Sequence, residues 1–308
     1  MLVRIATIAL NTYREAVRAR LLLGVFAMGL ATAAYSVVIG AQSLNNDVRV
    51  VADIGAASFS FYGVLAAIVL GSTSLYRELE HRTVFPILSR PIRRWEYLLG
   101  KYAGIVLTVA VFVLVEMATV LALLSLEAGE RPLTVAAIVA AMIAVLGFVS
   151  WRAQRHRAWI LIGWAAAVVV PCWFLARPAF EERTLVTASA VLALLEVAIV
   201  AAVTMLFSAF SSPFLTAACT AMIFIIGRSA DALGHLPPTM WWFLRAGGHV
   251  AFRIVPNLQV YVPPRPLLMG EAPTPVWQYV GTAGLQALAY STALLVVAAL
   301  VFRKRDFA

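Results

Sequence analysis

Long apolar blocks alternate with short charged connectors along this chain, and that alternation constrains the fold more than any motif does. The blocks run for about 17 to 26 residues with almost no charge, the length a helix needs to cross about 30 Å of hydrocarbon. Composition agrees, with 62% hydrophobic and 13% charged residues against about one quarter charged in soluble domains. The sequence therefore predicts an all-α, polytopic transmembrane helical bundle, with residues 1–308 forming a single membrane domain.

The blocks predict about eight spans, near 20–41, 57–76, 102–126, 133–150, 158–176, 184–209, 212–228 and 281–302. The shortest are 133–150 and 158–176, and only Ser211, Ser212 and Pro213 separate the sixth from the seventh, so six or seven spans are the alternatives. Ahead of the first span, residues 3–19 place Ile5, Ile8, Ala9, Tyr13, Ala16 and Val17 on one side, with Arg4, Asn11, Arg14, Glu15 and Arg18 between them. That spacing predicts an amphipathic helix lying along the membrane surface; the alternative is a basic leader to the first span. The basic start runs into a block long enough to span, without a small-residue cleavage site, so the first block is expected to stay as an anchor.

The net charge of +9 does not point to nucleic acid, because the basic residues sit in connectors between apolar blocks and form no soluble basic face. They report topology. With the N-terminus inside, the segments 1–19, 77–101, 151–157 and 303–308, together with Arg20 at the edge of the first span, carry 16 of the 24 Lys and Arg residues. That excess satisfies the positive-inside rule and places both termini in the cytoplasm. The long segment 229–280 then lies outside. Its prolines, Pro237 and Pro238 through Pro273 and Pro275, forbid one regular helix. Trp241, Trp242, Phe243 and Leu244 make it too apolar for a free linker, so it is read as short helices on, or dipping into, the outer leaflet.

Residues expected of an enzyme are sparse. Gly100-Lys101 is followed by Tyr102 and lacks the Gly five residues earlier that a phosphate-cradling loop requires. His81, His156, His235 and His249 are scattered without metal-ligand spacing. Cys172 and Cys219 fall inside apolar blocks, as packing residues do. Two carboxylates, Glu116 and Glu196, fall near the middle of their spans, where an ionised acid costs on the order of 2.5–3.5 kcal/mol on insertion scales. Each must be neutral, paired or facing a polar cavity. They either mark a polar patch along a path or interface, or hydrogen-bond a neighbouring helix.

The most informative stretch is the connector 77–101. Glu78, Glu80, His81 and Arg82 form a charged helical turn, and Pro86 and Pro91 then turn the chain back toward the membrane. Val84, Phe85, Ile87 and Leu88 make an apolar ridge rimmed by charge, including Arg94. Such a ridge suits a partner protein; the alternative is a basic loop that fixes topology and touches anionic lipid.

This stretch resembles the signature of type-2 ABC exporter permeases: a Glu, then Arg-Thr, Leu-Ser-x-Pro, Arg, Glu-Tyr and Gly-Lys, carried here by Glu78, Arg82, Thr83, Leu88, Ser89, Pro91, Arg94, Glu96, Tyr97, Gly100 and Lys101. It is similar above all to permeases associated with maturation of multicopper enzymes such as nitrous oxide reductase. Arg14-Glu15 with Arg18-x-Arg20, the 206–212 joint and Val255-Pro256-Asn257-Leu258 add weaker matches in the same order. The resemblance implies a half-transporter of a bacterial inner membrane that pairs with a second permease, identical or related, and with two cytoplasmic ABC ATPase subunits. ATP and Mg would be held there, leaving this chain with no cofactor and no hydrolytic role. It further implies that 78–90 is a coupling helix seated in an ATPase groove and that 3–19 is an interfacial connecting helix. The chain departs from the six-span pattern by an inserted pair, 133–150 and 158–176, and by a longer outer segment.

Export of a substrate is thus the leading expectation. A second is mechanical coupling to an extracytoplasmic partner on 229–280, without cargo. A third is an intramembrane enzyme using Glu116, Glu196, His235 or His249, which requires those groups to converge.

Overall fold

The computed structural model describes residues 1–43, 46–80, 93–153, 157–234, 241–242, 246–248, 252, 255–265 and 275–304. The elements are α1 (Leu2–Val17), α2 (Arg20–Gly40), α3 (Asp47–Glu80), α4 (Arg94–Glu127), α5 (Pro132–Arg152), α6 (Arg157–Leu175), α7 (Phe180–Ser208), α8 (Pro213–Arg228), the short α9 (Ala230–Gly234) and α10 (Val276–Lys304). Single 3-10 turns occupy Arg177–Ala179 and Leu258–Tyr261. All regular structure among the described residues is helical.

Local sequence sets the helix ends. The N-cap N–H of Arg93 donates to the Glu96 carboxylate three residues into α4, at 3.3 Å, so one otherwise orphaned donor is satisfied. Pro132 and Pro213 open α5 and α8, where the missing N–H costs nothing. Gly129 joins α4 to α5 at φ +92°, backbone that a side chain resists. Glu181 and Glu182 lie in the first turn of α7, favourable at the positive end of the helix dipole.

Seven helices among the described residues, α2 to α7 and α10, are long and apolar enough to cross a membrane. The difference from the eight expected spans is at 212–228. There α8 has 16 residues and reaches about 24 Å, short of the hydrocarbon thickness. The expected surface helix at 3–19 is α1, and the second span is much longer than expected, since α3 has 34 residues.

The core is formed by α3, α4 and α7, with α2 on α3, and α10 on α7. Close approach is set by small residues. A β-carbon at Gly55 would lie 2.5 Å from Val120 of α4, at Gly63 3.1 Å from Val197 of α7, and at Gly71 2.6 Å from Thr204 of α7. Around this core, α5 packs chiefly on α6, where Trp164 Nε1 donates to the Met142 carbonyl at 2.8 Å.

Helix α1 and the end of α10 lie at one end of the bundle. The start of α4 meets α1 through Gly100 and Gly104, and Arg94 of the same turn donates to the carbonyl of Arg303 at 2.9 Å. This near end also receives the last turn of α3. Val276, Phe180 and Gly129 mark the far end.

Candidate functional site

Of the coupling-loop residues, Glu78 and Glu80 belong to the final turn of α3, and Arg94 is the first residue of α4. His81, Arg82, Thr83, Phe85, Leu88, Ser89 and Pro91 lie outside the described residues, as do His156, His235 and His249. What the structure describes is the base on which that loop stands.

The base is built on α1. Its apolar side, with Ala9, Thr12, Tyr13 and Ala16 buried, lies against α4 because Gly100 and Gly104 remove side chains from the contact. Their β-carbons would fall 2.6 Å from Ile8, and 2.6 Å from the Ala9 carbonyl and Thr12. Lys101, between the two glycines, is only 2% exposed. Its ammonium donates to Ser74 Oγ of α3 at 3.1 Å, stands 3.9 Å from the Glu15 carboxylate of α1, and lies 5.9 Å from the Tyr97 ring centre. Asn11 Nδ2 holds Glu15 from one turn back, at 2.7 Å. One buried cation thus ties α1, α3 and α4 together, and Arg94 adds the end of α10 through the Phe302 and Arg303 carbonyls. Arg14 is half-buried and Arg18 exposed on α1.

The two intramembrane carboxylates prove to be different sites. Glu196 of α7 is fully buried and paired. Arg228, the last residue of α8, donates Nε to Oε1 at 2.7 Å and Nη2 to Oε2 at 3.0 Å. Ser60 of α3 donates to Oε2 at 2.5 Å and accepts from Arg228. This fork holds the end of α8 against the middle of α7, about 18 Å above Ser208, which explains why α8 stops short. Glu116 of α4 is equally buried, yet neither oxygen has a hydrogen-bond partner among the described residues. It faces Gly29 of α2, where a β-carbon would sit 3.0 Å from Oε1, and its polar neighbour is Ser58 of α3, whose hydroxyl donates to the Gly55 carbonyl at 2.8 Å.

Ser58 and Ser60 are two residues apart on α3, about 3 Å in height and 200° around the axis. The glutamates therefore stand at similar depth on opposite sides of one helix and do not converge, which removes the geometric basis for an acid pair. Among the described residues no group of three or more His, Cys, Asp or Glu side chains could hold a metal ion.

At the far end residues 255–265 are clasped to the core. Arg265 donates one nitrogen to Asp53 of α3 and another to Glu182 of α7. Asn257 Nδ2 donates to Asp231 at 2.7 Å, Tyr279 donates to the Val260 carbonyl at 2.5 Å, and Tyr261 donates to Ala283 O at 3.3 Å. Leu258 and Tyr261 are buried, and Leu258 and the Pro256 carbonyl cover Gly227. The 255–261 stretch is therefore wedged between α8 and α10.

Sequence reasoning missed Ser74, Ser60, Arg228, Asp53, Glu182 and Arg265. The only signal for Arg228 was its place at the end of an apolar block, since a buried carboxylate needs a cation from somewhere. No protein-family model matches the chain, and no curated protein shows significant similarity to it.

Proposed function

We propose that this chain is the membrane-spanning permease subunit of an ABC-type exporter of a bacterial inner membrane, with its termini in the cytoplasm. ATP and Mg are handled by two cytoplasmic ATPase subunits, and a second permease, identical or related, completes the pathway. The observation that carries the reading is the buried Lys101 tie at the base of the 81–92 connector. A coupling element must pass a push from the loop into several spans at once. Here α1, α3 and α4 meet on one ammonium, and α10 is attached through Arg94, so displacement of the loop moves them together. The signature residues Glu78, Arg82 and Thr83 supply the matching resemblance.

A specific observation also favours the mechanical version, in which force passes to an extracytoplasmic partner without cargo. Arg265 ties the outer segment to the far ends of α3 and α7, so a displacement of α3 at the near end reaches the outer surface.

The test is co-expression with candidate ATPase subunits and purification through a tag on this chain in nanodiscs. Wild type is expected to retain an ATPase, and Glu78→Lys or Arg82→Glu to release it. Failure of wild type to retain any ATPase, with both variants unchanged, sinks the exporter reading. Retention of coupled ATPase activity in wild type, but uncoupling from an outer partner in Arg265→Glu, selects the mechanical version.

A further inference from the structure

Helix α6 packs along α4, but its partner α5 stands off both α4 and α2. Between it and α2 and α4 lies a cleft of about 810 Å³, within the size range of ligand sites. Its α4 wall runs from Thr108 to Leu126, about 27 Å, nearly the full hydrocarbon thickness. The hydroxyl and indole donors of these walls are already engaged. Thr108 already donates to Gly104 O at 2.7 Å, Thr119 to Val115 O at 2.9 Å and Trp164 to Met142 O at 2.8 Å. Whatever lies in the cleft is hydrocarbon.

The two mouths differ in charge. Val17 and Leu22 line the near end, and Arg14, Arg18 and Arg20 stand beside them, with no carboxylate paired to any of the three among the described residues. Glu15, the one acid nearby, is engaged with Asn11 and Lys101. Arg152 ends α5 on the same side, and Trp151 and Trp159 are exposed there, as residues at headgroup level are. At the far mouth Glu127, Glu130 and Arg131 mix both signs.

We infer that the cleft is a binding site for an anionic diacyl phospholipid, its chains lying along α4 and its phosphate held at the near end by Arg18 and Arg20. This does not rest on the exporter reading. It assigns the α5–α6 pair a role, as one wall of a lipid site.

The test uses the full chain in nanodiscs, with trace phosphatidylglycerol or phosphatidylcholine carrying the same diazirine-bearing acyl chain, and peptide mapping after illumination. The glycerol probe is expected to label α4 and α5 near Thr119 and Val139 in preference to the choline probe. Arg18→Gln and Arg20→Gln should each lower that labelling about fivefold, and Val139→Trp should abolish it by filling the cleft. Equal labelling by both probes would mean bulk lipid and overturn the site, as would labelling that neither the arginine variants nor Val139→Trp changes. Crosslinks from cleft positions to another polypeptide would assign the cleft to a protein partner and overturn it equally. The arginine variants lie at exposed positions, so they remain decisive if the tryptophan variant fails to fold.

Discussion

The core pair α4 and α7 and the peripheral pair α5 and α6 are comparably apolar, yet they are packed in opposite ways. In their central windows 67% of the residues of both α4 and α7 are buried, against 6% for α5 and 22% for α6. In lipid an apolar side chain gains nothing by leaving hydrocarbon for protein, so apolarity predicts crossing and says little about burial. Small residues occur in all four helices; what separates the pairs is which small and polar positions are buried. Gly100, Gly104, Thr108, Glu116 and Ser125 mark α4, and Glu196 and Thr204 mark α7; all are buried. On α5 and α6, a β-carbon added at Gly147 or Gly163 would meet nothing within 4 Å.

The sharpest break of this comparison comes from the same substitution at two buried acids. Glu196→Gln leaves the partly buried Arg228 without its counter-charge and is expected to cost up to about 3 kcal/mol, read as reversible unfolding in mixed micelles. A loss under about 1 kcal/mol would show that the fork does not hold α8. Next, Gly104→Leu must displace α1, since a β-carbon there already meets Ala9 O and Thr12 at 2.6 Å; a loss of about 1–3 kcal/mol or more follows from overpacking. Proteolysis or crosslinking between Ile8 and Gly100 would report undocking. Glu116→Gln keeps volume and removes no pairing, so it should cost under about 1.5 kcal/mol. The smallest effect belongs to the periphery. Gly147→Leu on α5 enters open space and should stay within about 0.5 kcal/mol, and a larger loss would mean that α5 is covered after all.

Much of this architecture was legible before any tertiary contact was known. The hydrophobic runs located α2, α5, α6, α7 and α10 to within about five residues, and α4 apart from its first two turns, because crossing length is a property of the chain and the bilayer alone. The apolar and charged sides of α1 were legible for the same reason: 3.6-residue periodicity is local. Small residues recur at four-residue spacing at Gly63, Ala67 and Gly71 and at Gly100 and Gly104, but spacing alone does not say which helix each meets. The extent of α3 was hidden because its first turns carry Asp47, Arg49 and Asp53, which read as a connector. Asp53 is there to take Arg265, 212 residues away.

The sequence by itself determined that this is a helical membrane protein, that an amphipathic helix precedes its first span, and that two acids lie at mid-membrane depth. It carried the charge asymmetry from which an orientation is expected. Only the tertiary structure decided that Glu196 has a cation while Glu116 has none among the described residues, that Lys101 joins three helices, and that α6 lies on α4 while α5 stands off it to leave an apolar cleft. Spacing within a helix is fixed by neighbours three and four residues away, whereas a buried charge is matched by whatever side chain the packing brings to it.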